Sequence, residues 1–287
     1  MIWLAFAILT AFFESLKDVI SKHSLKVVDE YVVAFLSQAF AVVFLLPVLW
    51  VVGIPEIQPD YWRALAIGGS INVVSFLLYI KAIKLADLSL TVPLVTLTPL
   101  FLLVTSPIIA HEFPNGADAI GVFCIVIGSY VLNLREKHKG YFAPLRALFV
   151  NKGSRLMLVV AALWSITAAF DKVGVMSSSP FFWCVSLFSF IALGMLPIAL
   201  LRSRTPIAKI TPHLPKLASI GLMFAIAVGS QMVAVGMTAV TQVIAVKRMS
   251  ALISVILGHF LFKEDGIRER LLGAAIMVSG VVIMTVF

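Results

Sequence analysis

Ten runs of mostly apolar residues fill almost all of this 287-residue sequence, and each approaches the roughly 20 residues needed to cross a hydrocarbon core about 30 Å thick. They are Ile2 to Lys22, Val32 to Gly53, Trp62 to Lys84, Ser89 to Ala110, Gly116 to Leu134, Arg155 to Met176, Phe181 to Leu201, Leu214 to Gly236, Val240 to Phe262 and Gly266 to Phe287. Polar or Pro/Gly-rich breaks separate them. Composition agrees: 61% of residues are hydrophobic, 13% are charged, and the mean hydropathy is +1.07, far from the balance of a soluble globular domain. The fold class expected is all-α integral membrane, with ten transmembrane helices and no soluble domain left over. The first run is too long, and too polar around Glu14, Lys17 and Asp18, for a cleaved leader, so it is read as a mature helix.

An internal repeat divides the chain. A shift of 152 places HEFPNGADAIGVFCIVIGSYV (111–131) on KEDGIRERLLGAAIMVSGVVI (263–283), matching Glu112 with Glu264, Gly121 with Gly273 and Gly128 with Gly280. A shift of 150 places Lys22 on Lys172. The seam is the polar connection 135–154, which leaves one five-helix repeat at 1–134 and another at 155–287. Five crossings per repeat is an odd number, so the two repeats are expected to insert with opposite orientation, an architecture of secondary transporters. The paired glycines are seven residues apart and share one helix face, where small residues let helices pack closely.

Ten spans in two five-helix halves resemble the drug/metabolite transporter superfamily, EamA type, when each half carries a short acidic turn before a Gly-containing helix, here AHEFPNGADAIG and FKEDGIRERLLG. The resemblance implies a membrane transporter of small solutes. One element is more particular. Lys247-Arg248, followed by SALISVILGHFLFKE, is similar to the ninth-helix Lys-Arg signature of the triose-phosphate and nucleotide-sugar branch, in which the two cations hold the substrate's phosphate. Lys172 in AAFDKVGV stands as the counterpart of a further lysine of that branch.

The residues reach the same place by their chemistry. Lys247 and Arg248 lie roughly 11 Å into the ninth run, where a charge costs about 2.5 to 3.5 kcal/mol on insertion scales, which favours a cavity-facing position or a counter-ion. The competing readings are a structural ion pair or an interfacial anchor. Glu14, mid-run, is a candidate proton site or a counter-ion to Lys17 or Lys247, and Asp18 shares its face at i+4. Asn72, Tyr79, Gln231 and Gln242 are polar residues within runs that could line a cavity but are each more simply read as hydrogen-bonded packing, and Trp164 and Trp183 read as packing or interface aromatics rather than ligands.

Other classes fit poorly. The five histidines are scattered and the two cysteines, Cys124 and Cys184, have no metal-ligand partner in sequence, so neither catalysis, metal, cofactor nor disulfide is expected. The expected partners are a small-molecule solute and the lipid bilayer of the cell (inner) membrane, with the chain as monomer or homodimer. The net charge of +8 reads as membrane topology rather than nucleic-acid binding. An alternative solute class is neutral, zwitterionic or cationic: amino acids, drugs or other exported metabolites. Of the 22 Lys and Arg, seventeen fall in connections on one side of the membrane, against Arg63 and Lys172 on the other. The positive-inside rule places the rich side in the cytoplasm and both termini outside. Reporter fusions at Phe287 and within connection 135–154 should therefore report the former outside and the latter in the cytoplasm; the reverse pattern would overturn this orientation.

Overall fold

A computed structural model of the chain describes residues 1–24, 28–85, 94–133, 151–203, 205–206, 210–250, 252–253 and 267–286. Among these are ten α-helices and no strand: α1 Ile2–Ser24, α2 Glu30–Val52, α3 Pro59–Leu85, α4 Thr98–Ile109, α5 Gly116–Asn133, α6 Lys152–Met176, α7 Pro180–Arg202, α8 Leu214–Met237, α9 Val240–Lys247 and α10 Ile267–Val286. Five stretches are long and apolar enough to cross a membrane: Glu30–Val52, Pro59–Tyr79, Lys152–Met176, Pro180–Arg202 and Thr211–Met237. The seam, 135–154, falls outside the described residues up to residue 150, and so does Glu264.

The fourth and ninth runs depart from the expectation of unbroken spans. In the fourth, a turn at Thr96 and Leu97 precedes α4; in the ninth, a turn at Arg248 and Met249 ends α9. Residues 89–93 and 254–262 of these runs lie outside the described residues. Proline explains the first turn. Pro99 has no N–H to give the carbonyl of Val95 four residues back, and the Thr98 hydroxyl donates to that carbonyl instead at 2.7 Å. The second turn has no proline; the residues standing at it are Lys247 and Arg248. The backbone pattern is nevertheless the same at a spacing of 152. Leu97 N–H donates to Leu94 O and Phe101 N–H to Leu97 O, while Met249 N–H donates to Val246 O and Ile253 N–H to Met249 O.

The described chain forms two compact units, each drawing on both halves of the sequence. One comprises Ile2–Val73 and Phe170–Met237. Its centre is α8, which packs on α1, α2 and α7. A helix apolar all round belongs inside a bundle, and α8 buries residues on every side, among them Leu217, Phe224, Val228 and Met232. Gly221 lets α2 approach: a methyl group there would come within 2.3 Å of Phe40 Cβ. The Thr10 hydroxyl of α1 reaches the Ala227 carbonyl of α8 at 3.2 Å.

The other unit comprises Met1, Val74–Ala169 and Thr238–Phe287. In it α5 and α10 run antiparallel along their glycine faces. Gly121 lies against Gly280, the counterpart of Gly128 at a shift of 152, and Gly128 lies against Gly273, the counterpart of Gly121. Helix α9 packs on α4 and α5. A methyl at Gly128 would lie 2.5 Å from the Gly273 carbonyl oxygen and 2.7 Å from the Met277 nitrogen, backbone atoms that cannot rotate away. Gly128→Ala should therefore destabilise the protein by about 1 to 3 kcal/mol, read as a lowered Tm in detergent, whereas Gly116→Ala, with nothing within 4 Å, should change it little. Equal Tm values for the two variants would show that the close approach contributes nothing.

Candidate solute site

Helix α9 is eight residues long, and six of them (Val240, Thr241, Val243, Ile244, Ala245 and Val246) are buried. Its first N–H groups have no partner within the helix, and Ala239 at the N-cap has no side chain to supply one. The acidic turn after α4 does. The chain leaves α4 through His111, whose φ of 55° is left-handed, and this reversal brings Glu112 back beside Ser106. The Glu112 carboxylate then accepts the Val240 N–H at 2.8 Å, from 128 residues away in sequence. A carboxylate at a helix N-terminus also complements the helix dipole, by about 0.3 to 1 kcal/mol at exposed sites and up to about 2 where partly buried.

Asp118 makes a second attachment. Asn115 and Asp118 form a reciprocal capping box at the start of α5: Asn115 Oδ1 accepts the Asp118 N–H at 2.7 Å, and Asp118 Oδ2 accepts the Asn115 N–H at 3.0 Å. The remaining oxygen, Oδ1, accepts from Gln242 Nε2 of α9 at 2.5 Å. The Thr238 hydroxyl donates to Gln242 Oε1, so that amide is held at both ends. Asp118 is only 5% exposed, and this donor set is what makes a buried carboxylate tolerable. In the sequence Gln242 reads as a packing amide first and a cavity-lining one second, because its partners lie far away in the chain.

The C-terminal end of α9 carries Lys247 and Arg248, both half-buried at the turn. Arg248 N–H and Met249 N–H bond three residues back, to Ala245 O (3.0 Å) and Val246 O (2.9 Å), tightening the last turn. Cations suit this position, because the carbonyl end of a helix carries partial negative charge. The structure thus places the two expected cations at a helix end, rather than within a continuous helix.

The other predicted site residues belong to the unit built on α8. Lys17 Nζ lies 2.6 Å from Glu14 Oε1, and its ammonium sits 5.2 Å from the centre of the Phe224 ring. The pair is partly screened from solvent, with the two side chains 18% and 16% exposed. The side chain of Asp18 lies outside the described residues. Lys172, near the end of α6, donates to the Val235 carbonyl near the end of α8 at 2.7 Å. Its neighbour Asp171 is buried and accepts from Trp183 Nε1 at 3.0 Å. Trp183 is wholly buried, lies flat against Gly174 and meets Tyr61 edge-on. Its indole N–H is what anchors the carboxylate, a role its reading as a packing aromatic leaves out. Trp164 packs on Phe76 and Tyr79, and both cysteines are free thiols. Among the described residues, no three His, Cys, Asp or Glu side chains are grouped to hold a metal ion.

A solved crystal structure shares this fold, with a TM-score of 0.78 over 99% of this chain and 96% of that one at 15% sequence identity. No curated protein matches the sequence. The profile of the EamA-like transporter family matches residues 1–134 and again 151–286, nearly the whole length. Its members are multi-pass membrane transporters of small solutes, in keeping with the long apolar helices described above. This chain belongs to the EamA-like transporter family.

Proposed function

We propose that the chain is a secondary transporter that moves a small metabolite bearing an anionic group, and that Lys247 and Arg248 bind that group. The observation that carries this reading is the position of the two cations: adjacent, half-buried, and at a turn that ends a helix inside an apolar run. Irregular backbone at membrane depth is tolerated where it is buried in protein or lines a water-filled cavity, and interrupted helices are where transporters of other folds build their substrate sites. The likeness of the pair to the triose-phosphate and nucleotide-sugar branch supports an anionic ligand. The same reading gives Lys172 a supporting charge.

Alternating access between two inverted repeats, 1–134 and 155–287 joined by 135–154, is the mechanism we propose. The matching turns at a spacing of 152 and the antiparallel glycine contacts of α5 and α10 support it. Cytoplasmic-membrane localisation follows from the same reading.

Arginine offers a planar fork to a phosphate or carboxylate, whereas lysine is a point charge, so the two are not interchangeable. Arg248→Lys should weaken binding of phosphorylated ligands to the purified protein, and Lys247→Ala should weaken it about ten- to a hundredfold, with membrane insertion retained. A Lys247→Ala protein that folds and binds every ligand as the parent does would make the pair structural. Lys172→Gln, assayed alongside, tests the supporting charge.

Glu14 is proposed as the proton-linked group, with Asp18 beside it on α1. Protonation would neutralise the carboxylate facing Lys17, whose ammonium also faces the Phe224 ring, a change of local charge beside α1 and α8. Glu14→Gln should abolish pH-gradient-driven uptake into proteoliposomes while leaving counterflow exchange measurable. Gradient dependence unchanged from the parent would reduce Glu14 to the ion pair alone.

A further inference from the structure

The acidic turn between α4 and α5 has a definite target, and that target is the helix on which Lys247 and Arg248 sit. We propose that Glu112 is a positioning residue for the solute-binding end of α9, with Asp118 and Gln242 as its second point of attachment. The inference rests on the reading of Lys247 and Arg248 given above.

Three observations carry it. First, α9 has no cap of its own: Ala239 offers none, while Val240 and Thr241 at its start are fully buried, out of reach of water. The carboxylate of Glu112 on the Val240 N–H supplies that cap from a different segment, and so fixes where along its axis the helix begins. Second, Gln242 lies two residues further round the helix, and its amide is gripped by Asp118 Oδ1 on one side and the Thr238 hydroxyl on the other. One attachment alone would leave α9 free to turn about it; two attachments at different azimuths set the rotation of the helix as well. Third, the distance is short. Seven residues separate Val240 from Lys247, about 10 Å of helix at roughly 1.5 Å per residue, too few turns for bending to absorb a displacement at the N-terminal end. The cations at the far end therefore move with the anchor.

The anchor itself is rigid. Glu112 follows the left-handed His111, its N–H reaches the Ser106 carbonyl at 3.4 Å, and Asp118 is locked by the capping box with Asn115. Neither carboxylate needs to touch the solute to affect its binding.

The test uses the full chain purified in detergent, with inorganic phosphate as the probe and amide hydrogen exchange of residues 240–249 as an independent readout. Glu112→Ala should raise the Kd for phosphate at least tenfold and accelerate exchange across 240–249, with the Tm of the whole protein within a few degrees of the parent. Glu112→Gln keeps a carbonyl oxygen for the Val240 N–H and should recover most of both. Should Glu112→Ala fail to fold, Gln242→Met, of similar length but without the amide, takes its place and should raise Kd at least threefold. Phosphate affinity equal to the parent's, in a variant whose exchange is accelerated, would overturn the proposal, because the anchor would then not reach the cations. Unchanged exchange would overturn it directly. Arg248→Ala is the control for the underlying reading: if the parent and Arg248→Ala bind phosphate alike, the assignment of the anion to that pair falls, and acceleration across 247–249 in Glu112→Ala alone decides the positioning of the helix end.

Discussion

The helix interruptions among the described residues are governed by one constraint: in an apolar surrounding a backbone N–H or C=O has no water to turn to, so a helix that stops must find its partners in the protein. The two turns of the fourth and ninth runs show how this is met. Where Pro99 withholds an N–H from Val95, the neighbouring Thr98 hydroxyl takes its place. Where α9 begins with buried amides, Glu112 crosses from another segment to accept one. Where α5 begins, Asn115 and Asp118 cap each other, and the spare oxygen of Asp118 is spent on α9. The polar residues of these turns are thus the complement of the backbone groups that interruption leaves over.

Charged and ionisable side chains obey the same rule by different means. Lys17 lies between a carboxylate and an aromatic ring. Lys172 takes a carbonyl near the end of α8, where the helix dipole favours a cation. Asp171 takes the indole N–H of a fully buried tryptophan that is itself seated against Gly174. Lys247 and Arg248 sit at the carbonyl end of a short helix, where the local field favours positive charge.

Much of the fold was legible because membrane helices are written in long apolar runs. The ends of α2, α6, α7 and α8 fall within three residues of the boundaries that hydropathy alone assigns. The packing face of Gly121, Gly128, Gly273 and Gly280 was legible too, because seven-residue spacing of small residues has few other uses in a helix. Hydropathy could not show the turns at Thr96 and Arg248, since an interrupted helix is as apolar as a continuous one. Pro99 was a visible hint for the first; nothing local marked the second as a turn, although Lys247 and Arg248 marked it as unusual. The site was half legible for the same reason. Charge in an apolar run can be seen from sequence, but the partners of Val240, Gln242 and Asp171 depend on which helices meet, and no spacing along the chain records that.

The symmetry of the repeat then separates scaffold from chemistry. At the spacing of 152 the backbone pattern recurs at both turns, and the glycine contacts map onto themselves with the repeats exchanged. The side chains at the turns do not recur: Val95 and Thr96 occupy the first where Lys247 and Arg248 occupy the second. If the two halves are the repeats proposed above, the hydrogen bonds shared by the two turns belong to their common backbone. For the anionic solute proposed above, cations at one turn suffice, and a second cationic pair would add insertion cost and mutual repulsion without a ligand to offset either. Shared turn hydrogen bonds carrying unlike side chains are what selection on geometry in both halves, and on the proposed recognition in one, would leave.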